Sequence, residues 1–237
     1  MEKIEAYLLE CLQKYGITLE KQQAEQFQRY MELLLEWNEK MNLTAIKEPR
    51  DVVVKHFVDS LLLGSSVGIK ENASCVDVGT GAGFPGIPLK IFRPDISLTL
   101  LDSLNKRLVF LAEVLKELSL KAEIIHERAE VAGTKKELRE KFDLVTARAV
   151  APLNILCEYC LPFVKPGGYF AAMKGPEVEK ELEEAENAIG LLGGAWKETK
   201  KFELPDGSGR SIVMIEKVRH LSDKYPRHGS KISKSPL

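Results

Sequence analysis

The stretch Asp77-Val78-Gly79-Thr80-Gly81-Ala82-Gly83-Phe84-Pro85-Gly86 follows directly on the short apolar run ASCV at residues 73–76. An apolar run that breaks into glycines at alternate positions is a strand–loop–helix junction. Glycine lets the chain turn tightly there and lets a ligand approach the backbone with no side chain between them. In an open α/β sheet such a ligand sits at the carboxyl ends of the strands, where the topology changes direction.

Downstream of the loop, the apolar runs SLTLLD (97–102), AEIIHER (122–128), FDLVTAR (142–148) and GGYFAAMKG (167–175) alternate with helical stretches. Those stretches are IPLKIF, KRLVFLAEVLKEL, a polar helix near 134–141, and APLNILCEYCLPFV. Such alternation, with near-continuous apolar strands, predicts a parallel sheet covered on both faces. AWKETKKFEL and SIVMIEKV flank the turn-rich link PDGSGR and predict a terminal hairpin, so one strand there runs antiparallel. Upstream, residues 1–64 read as helical. Ile4, Leu8, Leu9 and Leu12 recur at helical spacing, and Gly16 ends that helix. Thr18 is expected to cap a second helix striped with Phe27, Tyr30, Met31, Leu34 and Leu35. A third follows Pro49, with Val54, Phe57, Val58, Leu61 and Leu62 on one face and Lys55, His56 and Asp59 turned elsewhere. The expected division is a helical extension over 1–70, an α/β core over 71–218 and a basic tail over 219–237.

The 237 residues are 44% hydrophobic and 29% charged, enough apolar material for a core without disulfides. The opening MEKIEAYLLECLQKYG mixes charge into every turn, unlike a secretory signal. No window reaches the roughly 18 apolar residues of a membrane span, so a cytoplasmic location is expected. Cys157 and Cys160 form a C-x-x-C without a second ligand pair, which reads as two thiols packed along a helix and no metal site. The net charge of −1 argues against a dedicated nucleic-acid binder unless a basic surface is local. The closing KYPRHGSKISKSPL, residues 224–237, supplies one, because it holds no acidic side chain.

A dinucleotide fingerprint, G-x-G-x-x-G, would place its third glycine at position 84, where Phe84 stands. The loop Gly79, Gly81, Gly83, led by Asp77, instead resembles the nucleotide loop of class I methyltransferases. Asp102, ending the next strand, can accept both ribose hydroxyls of S-adenosylmethionine or of NAD, or can cap the following helix. Ala129 and Glu130 follow the third strand, where a methyltransferase contacts adenine. Arg148 closes the fourth, suited by its fork to a carboxylate or a phosphate, or to a structural ion pair.

At this point the chain resembles the bacterial 16S rRNA guanine-N7 methyltransferases of the glucose-inhibited division protein B family. The segments that carry the resemblance include WNEKMNLTAI (37–46), KHFVDSLL (55–62), LLDSLNKRLVFL (100–111), FDLVTARAVAPL (142–153) and YPRHGSKISKSPL (225–237). It implies a Rossmann-like, seven-strand methyltransferase sheet with a helical N-terminal extension. It also implies methyl transfer from S-adenosylmethionine to N7 of a guanosine in 16S (small-subunit) rRNA or a subunit precursor. Gly79, Phe84, Ala129, Glu130 and Arg148 then line the cofactor site, while Arg128, Lys174 and Arg210 serve catalysis or the RNA side. Lys55 departs from the arginine expected before the histidine of the third helix, keeping the charge but losing the fork.

Guanine N7 carries no proton, so its methylation needs no general base. The expected machinery is positional, with Arg148, Lys174 and Arg128 as the catalytic candidates. Arg210, Arg219, Lys224, Arg227, Lys231 and Lys234 are expected to bind RNA phosphates. His126 is expected to pack, His56 could touch substrate, and Trp37 and Trp196 are expected in the core. The competing readings are an NAD-dependent oxidoreductase, a non-catalytic RNA-binding assembly factor and a small-molecule methyltransferase. A monomer is expected.

Overall fold

The computed structural model describes residues 3–237. Helices α1 (Glu5–Gln13) and α2 (Lys21–Met41) lead into a continuous helical segment. That segment comprises α3 (Pro49–Val52), a π-helical stretch Val53–Val58 and α4 (Asp59–Ser66). There follow β1 (Ser74–Val78), α5 (Gly86–Phe92), β2 (Ser97–Asp102), α6 (Asn105–Glu117), β3 (Ala122–His126) and the single turn α7 (Ala129–Ala132). The chain continues through β4 (Phe142–Arg148), α8 (Leu153–Cys160), β5 (Val164–Lys174) and α9 (Glu179–Leu191). It closes with the hairpin β6 (Gly194–Glu203) and β7 (Gly209–Lys217) and the short α10 (Gly229–Lys234).

Seven strands form one sheet in the order β3-β2-β1-β4-β5-β7-β6. Only β7 runs against its neighbours β5 and β6, as the hairpin reading requires. The α/β class expected from the sequence is therefore the observed one. Strand order reverses between β1 and β4, and the parallel registers bring Val78 beside Leu101, Asp102 beside His126 and Arg148 beside Met173. The carboxyl ends of these strands thus form one rim, and the glycine loop leaves β1 at the reversal.

The N-terminal helices form one layer of the core. Phe27, Tyr30, Met31, Leu34 and Phe57 are fully buried, in one apolar cluster with Cys75, Leu98, Ile87 and Phe110. Each contributes roughly 1.5–3 kcal/mol through burial. A second cluster fills the other face with Leu153, Leu156, Ala185, Ala188 and Ile189 from α8 and α9. Cys157 and Cys160 are buried within it as free thiols, both pushed up in pKa by that burial.

Several sequence expectations change. The polar helix near 134–141 is a run of turns. Tertiary contacts take over its backbone: Glu140 N–H donates to the Pro162 carbonyl and Lys141 N–H to that of Phe163, with Glu140 at φ +53°. Conversely α9, long and polar, was not anticipated. Helix α2 begins at Lys21 with Glu20 as its cap, whose N–H donates to Gln23 Oε1 at 2.8 Å, so Thr18 lies outside it. Trp37 packs on Phe110, but Trp196 is 53% exposed on the edge strand. His126 is exposed and bonded to the Ser103 carbonyl.

Lys217 is wholly buried at the end of β7, its ammonium donating to the Leu161 and Leu192 carbonyls at 2.9 and 3.1 Å, with Glu140 at 3.5 Å. Burial pushes its pKa down from 10.5 to about 8, against the pull of Glu140. Between those values the unfolded chain binds the extra proton, so this group makes stability rise with pH. Urea unfolding of the parent and of Lys217→Met should differ by a slope of that sign between pH 8 and 10.5. Its total is expected to be up to about 3 kcal/mol. A difference curve flat across the window would contradict this.

Candidate active site

The glycine loop is held from below by Asp77, whose carboxylate is fully buried. Its Oδ2 accepts from the Thr80 hydroxyl at 2.7 Å and from the Gly86 N–H at 2.9 Å. Burial pushes that carboxyl up to about 6, and the two hydrogen bonds pull the other way. Gly79, Gly81 and Gly83 all have positive φ, at 69°, 61° and 99°. They are not equivalent. A Cβ on Gly83 would lie 2.5 Å from Tyr30 Oη and 2.8 Å from Ile87 Cδ1, so this glycine admits helix α2. The Tyr30 hydroxyl donates to the Ala82 carbonyl at 2.5 Å and clamps the loop to the N-terminal helices.

Two clefts open on the strand rim. The first, about 790 Å³, is bounded by Gly79, Asp102, Arg107, Arg128, Ala129 and Glu130, together with His228, Gly229, Ser230 and Ser233 of the C-terminal segment. Asp102, 3% exposed, accepts from the Gly81 N–H at 2.9 Å, the Leu104 N–H at 2.9 Å and Arg107 Nη1 at 3.2 Å. It therefore ties loop to helix and keeps one lone pair, on Oδ1, without a protein donor. Ala129 and Glu130 begin α7, where the first N–H groups of a helix have no intrahelical acceptor. A bare loop, a carboxylate at the tip of β2 and these amides suit a nucleoside. The Arg128 side chain is 73% exposed at the mouth, 3.9 Å from Glu130.

The second cleft, about 440 Å³, is lined by Lys55, His56, Asp59, Arg148, Lys174 and Arg210. Ala149, in the left-handed region at φ +56°, lines both clefts and marks their junction. The π-helical stretch delivers Lys55 and His56 to this cleft, with Asp59 opening the next turn. Arg148 Nη1 donates to the Lys55 carbonyl at 3.0 Å and to Asp59 Oδ2 at 2.9 Å. Its Nη2 lies 2.9 Å from His56 Nδ1, and its guanidinium sits 5.0 Å above the Phe84 ring. Arginine only donates, so His56 Nδ1 is the acceptor and its Nε2–H donates to Thr44 Oγ1 at 2.9 Å. Burial, and then the Arg148 charge, push the His56 pKa down to about 3, so the ring is neutral. Burial raises the Asp59 carboxyl, while Arg148 and Arg210 pull it down. Lys174 Nζ donates to the Ala151 carbonyl at 2.8 Å and pairs with Glu181 at 2.6 Å, bracing the loop after β4. Lys55 pairs with Asp51 at 3.1 Å.

The residues named from the sequence thus divide. Gly79, Asp102, Arg128, Ala129 and Glu130 line the first cleft; Arg148, Lys174 and Arg210 line the second. Gly83 and Phe84 lie behind the loop: Phe84 is 5% exposed and stacks on Tyr30 and His56. In the tail, Lys224, Lys231 and Lys234 are exposed, and Arg219 donates to the Gly190 carbonyl. Arg227 corrects its expected role in phosphate binding. Its Nε and Nη2 are bound to the buried Glu158 at 2.9 and 2.7 Å, so its fork is already occupied. The cleft-lining part of the tail, His228 to Ser233, was missed because its composition reads only as basic and polar.

The family model described as rRNA small subunit methyltransferase G matches residues 23–212. The chain is 51% identical over 227 residues to a ribosomal RNA small subunit methyltransferase G from Alkaliphilus metalliredigens, covering 95% of each chain. It is 52% identical over 232 residues to the protein of that name from Thermoanaerobacter sp. (strain X514), covering 97% of each. Among solved structures, M. jannaschii TYW2 in complex with AdoMet shares the fold, with TM-score 0.53 and 16% identity over 67% of this chain and 76% of that one. The chain belongs to the rRNA small subunit methyltransferase G family.

Proposed function

We propose that this chain transfers the methyl group of S-adenosylmethionine to N7 of a guanosine in 16S rRNA or a small-subunit precursor. The observation that carries the proposal is the pair of clefts meeting at Ala149, one suited to a nucleoside and the other rich in cations. Gly79, Asp102, Ala129 and Glu130 would hold the cofactor, with Arg128 at the mouth. When bound, the cofactor supplies an electrophilic sulfonium methyl.

The remaining chemistry belongs to the second cleft. Of the five donors of Arg148, three are engaged with Lys55, Asp59 and His56, which fixes the fork and leaves two for the purine or its phosphates. Lys174 holds the Ala149–Ala151 turn in place through its Ala151 bond. His56 is neutral and its Nδ1 is occupied, so it is a positioning group and no base, as an unprotonated N7 requires. Orientation of this kind contributes roughly 7–11 kcal/mol to such reactions. Lys224, Lys231, Lys234, Arg219 and Arg210 would meet RNA phosphates, giving an affinity that falls with salt. No helix among the described residues is long and apolar enough to cross a membrane. Action as a cytoplasmic monomer is part of the proposal.

The test is calorimetry with S-adenosylmethionine and with NAD, followed by mapping of the modified base in a 16S transcript and in small subunits. Micromolar binding of the first ligand alone, with N7 methylation, is the expected result. Binding of NAD alone would overturn the proposal, and so would methylation of another atom. Gly81→Val adds a local check. Its φ of +61° strains any β-branched residue, although no atom lies closer than 4.0 Å to a Cβ there. The shifted loop should weaken cofactor binding at least about tenfold, or about 1.4 kcal/mol, with the fold retained; parental affinity in a folded variant would remove the loop from the site.

A further inference from the structure

The C-terminal segment presents three different faces within one short helix. Gly229 and Ile232 are buried against the body of the protein. Ser230 and Ser233 line the first cleft, beside His228, whose Nδ1 accepts from the Ser230 N–H. Lys231 and Lys234 are exposed on the remaining side. The three-residue offset between the members of each pair puts them on a common helix face.

The anchors of this segment are few and specific. Arg227 holds Glu158, and Arg139 donates to the Leu221, Ser222 and Tyr225 carbonyls. Gly229 sits so close to Glu130 that a Cβ would collide with the Glu130 carboxylate. Glu130, in α7, lines the same cleft, so the segment packs against α7 there and is tied to α8 through Glu158. A helix of six residues is too short to be stable by itself, and its position depends on what it touches.

We propose that residues 225–234 form a strap whose inner face is a wall of the cofactor cleft and whose outer face binds RNA phosphates. Cofactor and RNA then strengthen each other's binding. The proposal rests on the reading given under Proposed function and adds to it His228, Ser230 and Ser233 as cofactor-side residues. The physical cause is shared ordering. A ligand that fixes either face of the strap lowers the conformational entropy still to be lost when the other binds. Such coupling is reciprocal, so RNA must raise cofactor affinity by the factor by which cofactor raises RNA affinity.

The experiment uses the full chain, S-adenosylhomocysteine as the unreactive cofactor form, and a 16S rRNA transcript at saturating concentration. Cofactor Kd is measured by calorimetry without and with RNA, in the parent and in Gly229→Ala, which keeps every lysine. Hydrogen exchange follows amides 225–234. In the parent, RNA should tighten cofactor binding about tenfold, a coupling of ordinary size, and cofactor alone should protect the strap amides. In Gly229→Ala the RNA-induced tightening should fall to less than about twofold while RNA still binds. Equal tightening in both proteins would overturn the strap, and so would exchange at 225–234 that ignores the cofactor. If the parent binds no S-adenosylhomocysteine or S-adenosylmethionine at all, the reading beneath the strap fails with it; normal parental binding with an inert strap sinks the strap alone.

Discussion

Replacing Arg227 with methionine is expected to destabilise the folded chain by about 3–5 kcal/mol, because it strands a buried carboxylate. Glu158 is 1% exposed and receives three donors from one residue: the Arg227 backbone N–H at 2.8 Å, Nε at 2.9 Å and Nη2 at 2.7 Å. Methionine keeps an unbranched apolar stem like that of arginine and removes the charge that compensates Glu158. Adding Glu158→Gln should restore most of the loss, since the neutral amide has no charge to leave uncompensated and still accepts from the backbone N–H. Urea midpoints of the parent, the single and the double variant decide the matter. A single variant within about 1 kcal/mol of the parent would mean a surface pair in effect, contrary to the burial. The same variant should loosen the segment that follows and so weaken cofactor binding.

Arg148→Ala should lower the rate of methyl transfer about a hundredfold, the cost of misplacing a reactant by an ångström or so. The guanidinium joins the π-helical stretch, through Lys55 and His56, and the start of α4, through Asp59, to the end of β4, and it covers the Phe84 ring. Without it, Asp59 keeps only Arg210, 3.6 Å away, as a charge partner among the described residues, so some stability is lost as well. Single-turnover rates with a 16S transcript, read beside cofactor calorimetry and thermal melts, separate the effects. The expected pattern is a slow chemical step with nearly parental cofactor affinity, since Arg148 lines the second cleft. Weakened cofactor binding with a parental rate at saturation would place the arginine on the methionine carboxylate instead. Arg148→Lys should rescue little, because one nitrogen cannot span the acceptors that Nη1 and Nη2 reach from two separate positions.

Much of this molecule is legible along the chain because it is written in local rules. The alternation of apolar runs with amphipathic stretches sets the α/β class, since strand and helix periods differ and each must bury one face. Spaced glycines after β1 mark the loop because positive φ at Gly79, Gly81 and Gly83 strongly favours glycine. Asp102, Ala129 and Glu130 are found by position, because parallel strands bring their carboxyl ends to one rim. The reversed final strand follows from PDGSGR.

What the chain alone cannot express is which long-range partner each polar group meets. The purpose of Gly83 depends on Tyr30, and the neutrality of His56 on its burial and then on Arg148. Arg227 looks like any other cation of a basic tail until Glu158 is found beneath it. The turns at 134–141 replace a plausible helix because distant carbonyls accept their N–H groups. By itself, then, the sequence determined the layers, the loop and the strand-end residues that line the first cleft, all products of short-range periodicity and backbone sterics. Only the tertiary structure decided which cations are free, where the second cleft lies and that the tail walls the first, because burial and pairing depend on residues far apart in the chain.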